Sequence, residues 1–155
     1  MIKDVKIKEL GSNIDDRGYF REILRDDDNI ISHFGQASVS LTNPGVIKAF
    51  HWHKFQDDVF YAISGEAQVV LHDRRENSET FGQTMAFKMS GKEPKILFIP
   101  RGVAHGYKAL GKKDLIMPYI MTKSYDRKAP DEERIPFDDK KINFDWDIDN
   151  CVDLL

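Results

Sequence analysis

The sequence places two histidines one residue apart, His51-Trp52-His53, followed after four residues by Asp58 and much later by His105. In an extended strand alternate side chains share a face, so both imidazoles of the His-x-His pair point the same way. Imidazole titrates near neutrality. It therefore suits a general base and, when neutral, a metal ligand. Several imidazoles with one carboxylate are donors that Zn, Fe, Ni or Mn accept. His33 and His72 stand apart from this set and read as surface residues, His72 as a polar group on a strand.

Short extended runs must carry these groups, because helical periodicity is nearly absent. The runs rich in Val, Ile, Phe and Tyr cover residues 5–10, 19–24, 36–41, 46–52, 58–63, 67–72, 84–89, 96–99, 103–109 and 115–121. Ser64-Gly65 joins two of them as a tight hairpin would. The one helix candidate is 27–34, where Asp27 and Asp28 give an acidic first turn. About ten strands in a chain of 155 residues predict one all-β domain over 1–155, a sandwich or barrel. The stretch 123–155 is crowded with charge and reads as a solvated C-terminal wrap, pinned by Phe137, Phe144 and Trp146.

Composition narrows the function further. A net charge of −3 offers no basic field for nucleic acid. No apolar run reaches the ~18 residues of a membrane helix, and the first twenty residues lack a signal-peptide core. The single cysteine, Cys151, cannot form an internal disulfide, so a cytoplasmic location is expected.

Taken together, Gly45, His51-x-His53, Asp58, Gly65 and then Pro100-x-Gly102-x-x-His105 resemble the two motifs of the cupin superfamily. That implies a jelly-roll β-barrel with short peripheral helices. Asp58 stands where the superfamily usually has Glu, and Ala109 where a late Asn is usual. A narrower resemblance runs from Asp16 to Trp146. Asp16-Arg17-Gly18-Tyr19-Phe20-Arg21-Glu22, Phe34-Gly35-Gln36, Gly45-Val46-Ile47-Lys48 with His51, Asp73-Arg74-Arg75 with Ser78-Glu79-Thr80-Phe81-Gly82, and Ile99-Pro100-Arg101-Gly102-Val103-Ala104-His105-Gly106-Tyr107 look like the motifs of dTDP-4-dehydrorhamnose 3,5-epimerases. Tyr119, Thr122, Tyr125 and Asp145-Trp146 fit the remainder.

The resemblance implies a homodimeric isomerase that needs no cofactor and acts on a nucleotide-linked 4-keto-6-deoxy sugar. Carbons beside a carbonyl carry acidified protons, and epimerisation removes one proton and returns another to the opposite face. The resemblance assigns His51 as base and Tyr119 as donor. It makes Lys48 and His105 donors to the substrate. Arg17, Phe20 and Glu22 would bind nucleotide and sugar, reaching a neighbouring subunit's site, with Gln36 and Arg74 as further contacts.

Departures from the pattern keep other readings open. Asp58 aligns with the family's pocket lysine, and an anion beside a developing enolate is repulsive. Lys48 replaces an arginine and His53 a glutamine, and the acid that orients the base histidine lies in a C-terminal extension beyond this chain's end. His51, His53, Asp58 and His105 also match the cupin metal ligands by type and spacing, and a divalent metal there could polarise a sugar carbonyl. His-Trp-His-Lys is similar to the His-x-His of sugar-nucleotide 3,4-ketoisomerases. A metal-holding sensor and a non-catalytic sugar-binding homologue are the remaining alternatives. His105 and Tyr119 could equally be core residues with satisfied polar atoms, and Arg17-Gly18 a turn.

Overall fold

The computed structural model describes residues 1–147 and 151. Its strands are β1 (Lys6–Glu9), β2 (Asn13–Asp15), β3 (Gly18–Phe20), β4 (Gln36–Thr42), β5 (Ile47–Trp52), β6 (Asp58–Tyr61), β7 (Glu66–Asp73), β8 (Thr84–Ser90), β9 (Lys95–Ile99), β10 (Val103–Leu110), β11 (Leu115–Met121) and β12 (Glu133–Arg134). Two antiparallel five-stranded sheets result, in the orders β1-β9-β6-β11-β4 and β12-β5-β10-β7-β8, with β2-β3 as a separate hairpin. This is the all-β jelly roll the motifs implied.

Burial explains the pairing. Strand β6 is buried along its whole length and sits at the centre of its sheet. Side chains from both sheets interdigitate between them, among them Phe60, Leu97, Ile99 and Met117 from one and Val69, Leu71, Phe87 and Ala109 from the other. Each fully buried large apolar side chain contributes about 1.5–3 kcal/mol relative to exposure.

The outer faces are covered by chain that is not strand. Extended structure ends at Phe20, short of the 19–24 run; Ile23 and Leu24 pack instead on Val59, Tyr61, Ile96 and Phe98. The helix expected at 27–34 is a single 3-10 turn, Asp26–Asp28, the only helical segment among the described residues. Asn29, at φ +55°, stops it, and Ile30 and Ile31 join the same apolar cover. On the other sheet Ile142 and Trp146 are buried against Phe50, Val70 and Ala86. Phe144 packs edge-on to Trp146, whereas the Phe137 ring is half exposed and anchors through its carbonyl, which accepts the Trp146 indole N–H.

Ser64-Gly65 is not a hairpin. Strands β6 and β7 belong to different sheets, so this turn carries the chain across the barrel. Gly65 has φ +78°, and a Cβ there would meet the Asp114 carbonyl at 2.6 Å.

Gly106 matters for the site. It follows His105 at an irregularity in the β5–β10 pairing, and a Cβ would fall 2.2 Å from that of Ala49. Gly106→Ala is therefore expected to cost about 1–3 kcal/mol through overpacking, read as a lower urea midpoint at unchanged slope.

Candidate active site

One cavity of about 1070 Å³ opens between the two sheets. His51, on β5, and Tyr119, on β11, both line it, and these strands belong to opposite sheets. The imidazole and the phenol thus reach one space from facing walls. Phe60 also lines this space, its ring 5.3 Å from that of His105 and 5.5 Å from that of Tyr119.

The histidines are gathered by register. His51 and His105 are direct cross-strand partners, with ring centroids 4.1 Å apart. His53, just past the end of β5, lies 5.3 Å from His51 on the same face, as alternation requires. Met121, the last residue of β11, pairs with Asp58 at the start of β6, which brings that carboxylate to the same end of the barrel. Ligand atoms of His51, His53, Asp58 and His105 all lie within 4.8 Å of one another.

Three side chains enclose the buried Asp58 carboxylate. His105 Nε2 lies 3.1 Å from Oδ2, His53 Nε2 3.3 Å from it, and the Gln56 amide donates to Oδ1 at 2.7 Å. Burial pushes the Asp58 carboxyl up, but the hydrogen bonds from His105 and His53 outweigh it and hold the group well below the usual carboxylate range. Burial opposes a charge on His53 as well, yet the Asp58 hydrogen bond and charge raise its pKa above 6.5. His51 goes the other way: burial and the nearby His105 ring depress it well below 6.5, leaving a neutral imidazole at pH 7. Tyr119 is pushed up to about 12, chiefly by burial, with the Tyr107 hydroxyl adding and the Ser40 hydroxyl opposing.

Other expected site residues fall in different places. Lys48 lines the cavity and donates to Ser40 Oγ at 2.7 Å. His105 is 1% exposed, with Nδ1 against the Val103 carbonyl at 3.0 Å and Nε2 on Asp58; both nitrogens are engaged, so the expected donation to substrate is not available in this arrangement. Gln36 stands outside the cavity lining and holds the tail, its side-chain oxygen accepting the Tyr125 N–H at 2.9 Å. Arg74 stacks on the outer Trp52 ring at 4.3 Å, away from the cavity. Arg17 and Phe20 lie on the exposed β2–β3 hairpin, and exposed Glu22 pairs with Arg25; within one chain none of the three lines the cavity. His33 is exposed, and His72 is partly buried, its Nδ1 2.8 Å from the Thr84 hydroxyl.

The tail supplies a wall that the charge pattern concealed. Lys123–Asp126 and Ala129–Arg134 line the cavity, and β12 adds to the edge of β5. Asp131 hooks over the end of β5. The one signal in the sequence was Pro130 ahead of a charged run that ends in Ile135-Pro136.

Barrel and cavity are those of a cupin-class protein. The model of the dTDP-4-dehydrorhamnose 3,5-epimerase family matches residues 1–154, and the chain belongs to that family. The spore coat polysaccharide biosynthesis protein SpsL of Bacillus subtilis is 52% identical over 149 residues, covering 96% of this chain and 99% of SpsL. A dTDP sugar isomerase from Desulfovibrio desulfuricans superposes with a TM-score of 0.87 at 27% identity, covering 94% of this chain and 92% of that one. The Legionella pneumophila epimerase RmlC, in complex with dTDP-4-keto-L-rhamnose, gives 0.85 at 28% identity over 98% of this chain and 84% of that one. The chain is an isomerase of the nucleotide-sugar epimerase type. No helix among the described residues is long and apolar enough to cross a membrane.

Proposed function

We propose that this enzyme epimerises a dTDP-4-keto-6-deoxyhexose at carbon 3, carbon 5 or both, in deoxysugar or polysaccharide biosynthesis. The carrying observation is a neutral imidazole, His51, facing a phenol, Tyr119, across one cavity. His51 takes the proton from a carbon beside the keto group, and the C–H electron pair becomes the enolate. The Tyr119 hydroxyl returns a proton to that carbon from the opposite face; its phenolate is then reprotonated from solvent, and the His51 imidazolium gives its proton back to solvent. A phenol with a pKa near 12 keeps its proton until the enolate calls for it. Lys48 supplies positive charge at the cavity wall.

The active form in this reading is a cytoplasmic homodimer. The outward face of the edge strand β4 is apolar, with Val39 67% and Leu41 58% exposed. The exposed β2–β3 hairpin would carry Arg17 and Phe20, with Glu22 just beyond it, to the partner's cavity. Deuterium wash-in at carbon 3 or 5 of dTDP-4-keto-6-deoxyglucose in heavy water tests the reading, and no incorporation with dTDP-, GDP- or CDP-linked keto sugars sinks it. Tyr119→Phe is expected to lower full turnover about tenfold to a hundredfold while wash-in on the His51 face persists, measured by NMR.

A second reading follows from the His51, His53, Asp58 and His105 cluster. Three imidazoles and a carboxylate fit a divalent ion, which when bound would polarise the sugar carbonyl. The backbone carbonyls of Asp131 and Val103 tie the Nδ1 atoms of His53 and His105, leaving both Nε2 atoms aimed at one point. The readings exclude each other at His51, whose single lone pair cannot both bind a metal and take a proton. Near-stoichiometric metal surviving dialysis of untagged protein favours the second; full exchange activity in metal-free protein removes it.

A further inference from the structure

Asp131 makes three contacts with the segment that leaves β5. Its carboxylate accepts the backbone N–H groups of Lys54 at 2.9 Å and Phe55 at 2.8 Å, and its backbone carbonyl faces His53 Nδ1. That carbonyl can only accept, so Nδ1 carries a hydrogen and the remaining nitrogen, Nε2, is turned toward Asp58. Two residues further on, Glu133 and Arg134 pair with Trp52 and His51. Residues 123–130 are exposed, and Asp131 is where the tail turns down onto the barrel.

We infer that Asp131 is a positioning residue of the reaction site: through the 53–55 backbone it fixes the His53 ring, and through that ring the Asp58 carboxylate at the cavity wall. The reason is charge. An unpaired Asp58 would repel an enolate forming beside His51, and His53 is one of the three groups that absorb its charge. His53 lies at the end of a strand, where its orientation needs an outside anchor. The two N–H groups held by the Asp131 carboxylate belong to the residues that follow it. A small displacement of such a group is amplified, since ~1 Å of misplacement costs ~10²-fold in rate.

The experiment uses the full chain with Asp131→Ala and Asp131→Asn. Proton NMR should find the His53 Nδ1–H slowed in exchange, assigned by its disappearance in His53→Gln. It should be lost in Asp131→Ala. Asparagine keeps one oxygen that can accept an N–H, so it should weaken the signal without removing it. The kinetic arm alone rests on the epimerase reading: kcat for wash-in should fall about tenfold to a hundredfold in Asp131→Ala, with KM changed by less than about threefold. A protected Nδ1–H that persists in Asp131→Ala overturns the proposal, and so does a kcat within about twofold of the parent. If Asp131→Ala fails to fold by circular dichroism, Asp131→Asn decides by the same signal. If no keto sugar exchanges even with the parent protein, the epimerase reading has failed, and the NMR arm still decides the role of Asp131.

Discussion

His51→Asn is expected to abolish deuterium wash-in, with kcat falling by about 10²–10⁴-fold, while the barrel stays folded. The loss is this large because neither neighbouring histidine is free to take the proton in its place. His53 is held at Asp58, and His105 has both nitrogens engaged, one on Asp58 and one on the Val103 carbonyl. His51 lines the cavity, and burial depresses its pKa enough to leave a free lone pair at pH 7. Asparagine is smaller and polar, and it leaves the cross-strand position opposite His105 filled. Circular dichroism and the urea midpoint check that the fold is kept. The same depression fixes a pH signature: protonation of the base disables it, so the acid limb of kcat/KM should lie below pH 6.5. A variant that still exchanges within tenfold of the parent would move the base elsewhere in the cavity.

The residues with fixed partners were the legible ones. Period-two alternation placed His51 and His53 on one face, and the Pro100-Arg101-Gly102 turn before His105 set the start of β10. Residues whose meaning depends on distant chain were not legible. Ser64-Gly65 carries the local chemistry of a hairpin, but sheet membership of β6 and β7 is decided by β9 and β10, far along the chain. Charge in 123–135 is what an exposed wrap and a cavity wall both require, so composition could not tell one from the other.

Asp58→Asn tests the most unusual feature of the site, a carboxylate where the family resemblance places a lysine. A buried anion is tolerable only if its surroundings return the lost hydration, and here the Gln56 amide, His53 and His105 do so. Asparagine keeps the shape but removes the charge that His53 needs. Breaking a buried pair of this kind is expected to lower stability by about 3–5 kcal/mol at pH 6. The pH dependence follows from the two shifts. The Asp58 pKa is depressed in the folded state, so its contribution is present above the unfolded value near 3.8 and lost as pH falls through the folded one. The His53 pKa is raised, so its contribution is full below 6.5 and is lost as pH rises through the folded value. The pair is therefore intact in the window between about pH 4 and 6.5, and the difference between parent and variant should be greatest there. Urea titrations at pH 6 and pH 9 measure it: a deficit that shrinks at pH 9 supports a charged His53–Asp58 pair. A deficit of equal size at both would mean that Asp58 holds the barrel by neutral hydrogen bonds alone, and the cavity would then face its substrate with an unbalanced negative charge.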